Sequence, residues 1–196
     1  MKEIRIHARA GQGAITTAEI LGQAYFQEGK YAYAFPHFGA ARMGAPMNAF
    51  VRVDERPIRL RSQVKNPDYL IVVDPTLLRG FNCYLGFQDN GVAVINTKEG
   101  LEIPKPKGGQ KAYLLPANDI AMKTIGRALG NTVLLGAFSA ASGEISLDSL
   151  NRSIRDRFSA NMADLNIEAA KQGYEFIKSR IQNPRQNEVG LAKSEK

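Results

Sequence analysis

Ile4-Arg5-Ile6-His7-Ala8-Arg9-Ala10, then Gly11-Gln12-Gly13, then Ala14 to about Glu28: the fold class is decided in this opening stretch. Its first seven residues alternate apolar and polar with period two, as a strand with one buried face does. Gly11 and Gly13 break that pattern. Beyond them Ile15, Ala18, Ile20, Leu21, Ala24 and Tyr25 fall near helical spacing, and Gly29 stands where a helix-ending glycine is expected. Strand, glycine turn and helix, in that order, open an α/β domain.

Working outward, Tyr31 to Phe35 reads as a second strand stopped by Pro36. Residues 37–46 hold two glycines and a proline with little periodicity, which predicts an exposed loop rather than a core element. Met47 to Val53 and Pro57 to Arg61 alternate on either side of Asp54-Glu55-Arg56, the pattern of a hairpin that brings antiparallel pairing into the sheet. Tyr69 to Val73 is continuously apolar and predicts a central strand buried on both faces, with Asp74 emerging at its C-terminal end, where open α/β sheets bind ligands. Gly91 to Asn96 and Lys111 to Leu115 read as further strands around a Pro- and Gly-rich connection. The second half turns helical: Asn118 or Asp119 caps a helix running to Leu129, Thr132 to Ala141 forms a second, Ser146 caps a third to Phe158, and Met162 to Ile181 forms the last. The expected fold is an α/β domain in three layers, a mixed and centrally parallel sheet with helices on both faces. It occupies residues 1–182, and 183–196 is a polar tail expected to be disordered.

Composition narrows the function. The length of 196 residues suits one compact domain or at most two small ones, and 44 % apolar content is enough to build a buried core. Cys83 is the only cysteine, so this sequence supplies no intrachain disulfide, no C-x-x-C pair and no four-thiolate iron–sulfur site. Cys83 reads as a partly buried small apolar residue beside Phe81 and Tyr84. The net charge of +7 comes from 26 Lys and Arg against 19 Asp and Glu. Its densest group, Arg52, Arg56, Arg59 and Arg61, lacks the aromatic interleaving of single-strand binders, so nucleic acid is set aside in favour of an anionic small molecule or an acidic partner subunit. No run of about eighteen apolar residues occurs and the N-terminus lacks signal-peptide features, so no membrane partner and a cytoplasmic location are expected.

The first site candidate is the turn Arg9-Ala10-Gly11-Gln12-Gly13. Glycines let backbone approach a phosphate, and the following helix offers unpaired N–H groups at its positive end. A tight strand-to-helix turn with no ligand explains the same residues. Thr16 occupies the third glycine position of a dinucleotide fingerprint, no acidic residue ends the second strand, and no Gly-Lys-Ser or Gly-Lys-Thr follows. His7 and His37 have no metal-ligand spacing, and Ser62 and Ser139 have no base near them in sequence. No residue is nominated as catalytic or metal-binding.

Several ordered motifs together carry a resemblance. They are Arg9-Ala10-Gly11-Gln12-Gly13-Ala14; Phe35-Pro36-His37-Phe38-Gly39 with Arg42-Met43-Gly44-Ala45-Pro46; Pro57-Ile58-Arg59-Leu60-Arg61-Ser62; Asn66-Pro67-Asp68-Tyr69; Asp74-Pro75-Thr76-Leu77-Leu78; and Asn131 to Ala137, continuing to Asn166, Ala169 and Gly173. In these the chain resembles the gamma subunit of pyruvate and related 2-oxoacid:ferredoxin oxidoreductases over nearly its whole length. The resemblance implies a subunit, inactive alone, of an enzyme converting a 2-oxoacid, coenzyme A and oxidised ferredoxin to acyl-CoA, carbon dioxide and reduced ferredoxin. It implies thiamine diphosphate, magnesium and iron–sulfur clusters on partner subunits of alpha, beta and delta type, with ferredoxin met through the complex. It implies coenzyme A as the ligand of Arg9, Gly11, Gln12 and Gly13, joined by Arg42 and Gly44 of the loop. Ala8 and Ala10 stand where the family turn has glycines, Ala41 where its loop often has Glu, and Met43 where it has a second arginine. Pyruvate is the substrate the resemblance implies, with 2-oxoglutarate, a branched-chain or an aryl 2-oxoacid as alternatives, since nothing in this chain fixes the substrate. The 37–46 loop is expected to face a partner subunit or the shared active site. A homodimer of the isolated chain, or a free-standing nucleotide-binding or assembly module, remains an alternative.

Overall fold

The computed structural model describes residues 1–37, 42–98 and 101–183. Its strands are β1 (Lys2–Arg9), β2 (Tyr31–His37), β3 (Pro46–Asp54), β4 (Tyr69–Val72), β5 (Val92–Asn96) and β6 (Lys111–Leu115). The helices are α1 (Ala14–Gln27), α2 (Leu77–Gly80), α3 (Ala117–Ile125), α4 (Asn131–Ser142), α5 (Leu147–Arg157) and α6 (Ala160–Gln182). One six-stranded sheet runs β2-β3-β1-β4-β5-β6. β1, β4, β5 and β6 pair in parallel, and β3 is antiparallel to both β1 and β2. The sheet is therefore mixed with a parallel centre, as expected.

Period two sorts the strand residues between two cores. Ile4, Ile6 and Ala8 of β1, Ala49, Val51 and Val53 of β3, and Ile71 of β4 pack against α1 and α3 to α6. Leu70, Val72, Ala93, Ile95, Ala112 and Leu114 face the other way, under α2 and a wall containing Cys83, Phe87 and Ile103. The three layers are thus unequal. All five long helices lie on one face, and the third layer consists of one-turn α2 with its flanking loops rather than helices on both faces. α4 is buried nearly all round, which its apolar, small-residue composition permits. It crosses α6 at two glycines. A Cβ at Gly136 would sit 1.8 Å from the Ala170 carbonyl oxygen, and one at Gly173 would sit 2.1 Å from that of Val133.

Four local expectations change. β2 does not stop at Pro36 but runs to His37, because it is an edge strand and an imino nitrogen on the open side costs no ladder bond. Pro57 to Arg61 is no strand: β3 already has β1 and β2 on its two sides, so both of its ladders are filled. That stretch is instead held by the Arg52 side chain, whose Nη1 donates to the carbonyls of Leu60 (3.3 Å) and Ser62 (2.6 Å). α3 begins at Ala117 after Pro116 and ends at Ile125, where Gly126 takes a left-handed φ of 77°, four residues before Leu129. Asn118 lies inside its first turn rather than capping it. Ser146 does cap α5, accepting from Ser149 N at 3.1 Å. Residues 38–41 of the 37–46 loop and 184–196 of the expected tail lie outside the described residues.

Candidate functional site

The parallel strands β1, β4 and β5 end along one edge of the sheet, and the expected turn sits there. Gly11 has φ 94° and Gly13 φ 78°, both in the region that disfavours a side chain, and Gly13 is the N-cap of α1. With no side-chain cap on this helix, its first-turn N–H groups face the edge. Residues 42–45 come back onto the turn: Ala10 N donates to Ala45 O at 2.8 Å, and Gly44 N to Ala10 O at 3.1 Å.

Asp74 organises the edge. It follows β4, and its Oδ2 accepts from Arg9 Nε (3.1 Å) and Gln12 Nε2 (2.8 Å). Its Oδ1 accepts from Thr76 N (2.9 Å) and Thr76 Oγ1 (2.6 Å). Burial alone would raise this carboxyl, but the hydrogen bonds from Thr76 and Gln12 and the charge of Arg9 outweigh it and hold the group below its ordinary range. Arg9 is thereby fixed: Nη1 donates to Gly44 O at 3.2 Å and Nη2 to Thr76 Oγ1 at 3.1 Å. Gln12 Oε1 closes the loop by accepting from Arg9 N at 2.7 Å. From the helix layer, Asn131 at the start of α4 donates to Gln12 O and Thr17 Oγ1, each at 2.8 Å. Asn96 at the end of β5 donates to Val73 O at 3.0 Å.

The structure therefore gathers Arg9, Gly11, Gln12, Gly13 and Gly44 at one place. Arg42 is next to them in the chain but exposed, its carbonyl accepting from Ala45 N at 3.1 Å. Sequence reasoning placed Asp74 at this edge without giving it a role, and it missed Thr76 and Asn131. The signals were present: a carboxylate directly after a two-faced apolar strand, and an asparagine opening the 131–137 stretch. His37 ends β2 with the Gln63 side-chain amide 3.0 Å from its Nε2. His7 is a buried strand residue whose Nε2 accepts from Arg5 Nε at 3.1 Å. Cys83 is buried, and burial pushes its thiol up to about 11, away from reactivity. Among the described residues no group of three or more His, Cys, Asp or Glu side chains is arranged to hold a metal ion, and no helix is long and apolar enough to cross a membrane.

The fold is a mixed α/β sheet whose polar edge brings a fixed guanidinium and an uncapped helix N-terminus together, an arrangement able to hold an anion. The chain belongs to the pyruvate ferredoxin/flavodoxin oxidoreductase family, whose model matches residues 3–176, and within it to the gamma-type subunits. It is 45 % identical over 177 residues to pyruvate synthase subunit PorC of Methanothermobacter thermautotrophicus, covering 90 % of this chain and 96 % of that one. It is 42 % identical over 181 residues to the pyruvate/ketoisovalerate oxidoreductases common subunit gamma of Pyrococcus abyssi, covering 89 % and 96 %. Among solved structures, the pyruvate oxidoreductase subunit PORC of Thermotoga maritima superposes with a TM-score of 0.76 at 36 % identity, over 89 % of this chain and 95 % of that one. A 2-oxoglutarate:ferredoxin oxidoreductase from Magnetococcus marinus, solved with 2-oxoglutarate, coenzyme A and succinyl-CoA bound, superposes with a TM-score of 0.77 over 91 % of this chain and 31 % of that one. At 21 % identity that likeness bears on the fold.

Proposed function

We propose that this chain is the gamma subunit of a cytoplasmic 2-oxoacid:ferredoxin oxidoreductase acting on pyruvate, and that its sheet edge holds the phosphates of coenzyme A. Partner subunits of alpha, beta and delta type carry thiamine diphosphate, magnesium and the iron–sulfur clusters, which supply the decarboxylation and electron-transfer chemistry when bound. This chain's own residues do no covalent work. They position a polyanion and close one side of the active site.

The observation that carries the reading is the state of Arg9. Only Nε meets the carboxylate; Nη1 and Nη2 meet neutral oxygens and point along the exposed side of the turn. A guanidinium has five N–H donors, and three are used among the described residues, leaving two for a phosphate beside the helix N-terminus. Asp74 and Thr76 hold the group so that little side-chain entropy is lost on binding. The pyruvate assignment follows the names of the Methanothermobacter and Thermotoga relatives. A second reading, one gamma chain shared between pyruvate and ketoisovalerate enzymes, is favoured by the Pyrococcus relative.

Arg9→Ala in the assembled enzyme tests the role. Loss of a charge-assisted hydrogen bond costs about 1.5–3 kcal/mol, so KM for coenzyme A is expected to rise by roughly ten- to a hundredfold with kcat and complex assembly retained. An unchanged KM for coenzyme A would overturn the phosphate role. Tight ATP binding by the isolated monomer would instead favour a free-standing nucleotide module.

A further inference from the structure

On the sheet face away from the five long helices, beside the same edge, lies a cavity of about 390 Å³. Arg5, His7, Asn48, Cys83, Phe81 and Leu85 are among the residues lining it. Arg5 is only 7 % exposed. Its Nη2 donates to the carbonyls of Leu85 (2.6 Å) and Cys83 (3.1 Å), and its Nε to His7 Nε2 (3.1 Å). All these acceptors are neutral. Burial first, then the nearby Arg5 charge, push the His7 imidazole down to about 3, so it stays uncharged beside the cation.

No carboxylate pairs with Arg5 among the described residues. Glu3, two positions along the same face of β1, is taken by Arg52 at 2.7 Å. A cation this deeply placed normally has an ionic partner, because its desolvation is otherwise unrequited. At the cavity's mouth, Phe81 is 54 % and Leu85 67 % exposed. Arg5 Nη1 also donates to Lys65 O at 3.5 Å, which leaves one guanidinium N–H unused. An exposed apolar rim around a buried charge with a donor to spare is the anatomy of an interface pocket that accepts one anchoring side chain. The surplus of seven positive charges on this chain favours an acidic partner surface.

We infer that this cavity seats an aspartate or glutamate side chain from another subunit of the complex, which completes the ion pair of Arg5 while its neighbours cover Phe81 and Leu85. The inference rests on the subunit role proposed above. Leu85 gives a clean test, because its side chain is exposed while its carbonyl touches the Arg5 guanidinium. Leu85→Glu places a competing carboxylate at the mouth and repels the incoming acid; Leu85→Lys adds a charge that attracts it.

The affinity of each purified variant for the remaining subunits is measured by surface binding, with melting temperatures recorded alongside. Leu85→Glu is expected to weaken association at least tenfold and Leu85→Lys less than threefold. Equal weakening by both would point to a merely apolar contact and overturn the inference, as would no weakening by either. Failure of the wild-type chain to associate at all would overturn the proposed subunit role and this inference with it. Should Glu at position 85 disturb the wall, the Phe81→Glu and Phe81→Lys pair reads the same contrast from the other side of the mouth.

Discussion

Asp74 accepts four hydrogen bonds on two oxygens, and three of the donors are side chains: Arg9 and Gln12 from the glycine turn, and Thr76 from just beyond β4. That convergence fixes the direction of Arg9 more tightly than a glycine turn can. His7, one strand away, makes a different statement about residues: its neutrality has a cost that depends on pH. An unfolded histidine titrates near 6.5, and the folded one only near about 3. Because the folded pKa is depressed, the unfolded state binds the extra proton first. Stability is complete above about pH 6.5 and declines as pH falls toward 3, by about 1.4 kcal/mol per pH unit within that window. Between pH 7 and pH 5 chemical denaturation of the wild type should show a loss of about 2 kcal/mol from this source, and His7→Gln should remove most of it. Identical slopes in the two proteins would show that His7 is not held neutral.

At the scale of elements, the α4–α6 crossing is the tightest packing in the helix layer. A methyl added at Gly136 must displace the backbone of α6, whereas one at Gly22 of α1 meets the Ala34 methyl at 3.3 Å, a contact a small shift relieves. Gly136→Ala is therefore expected to destabilise by about 3 kcal/mol or more, and Gly22→Ala to change stability by less than about 1 kcal/mol. Thermal melts of the two variants check this, and similar shifts would place the close approach elsewhere. The elements themselves were largely readable where the local pattern was complete: the alternating 4–10 run, the unbroken apolar 69–73 run and the Ser146 cap all correspond to what forms. Pro57 to Arg61 misled because an alternating pattern states only that a strand would suit it. Whether a ladder is free depends on β1 and β2, far away in sequence, and nothing local records that β3 is paired on both sides. Likewise the glycine turn was visible as a site, but the four-donor arrangement around Asp74 arises only once the turn after β1 and the end of β4 are brought to one edge.

At the scale of the whole molecule, the layers explain a division of labour. Five helices cover one face of the sheet, leaving its edge residues partly exposed, while the opposite face carries thin cover, an exposed apolar rim and the buried Arg5 cation. Between them runs the edge with Arg9 and the α1 N-terminus. On the proposed reading the edge faces the ligand and the thinly covered side faces a partner, and a single, buried cysteine supplies no four-thiolate cluster site. Reconstitution measures this most directly: pyruvate-dependent, coenzyme A-dependent ferredoxin reduction by the partner subunits with and without the purified chain. The account predicts no turnover and no thiamine diphosphate binding by the chain alone, and activity that appears only when it is added back to its partners. Decarboxylation of pyruvate, or retention of thiamine diphosphate, by the purified chain by itself would contradict it.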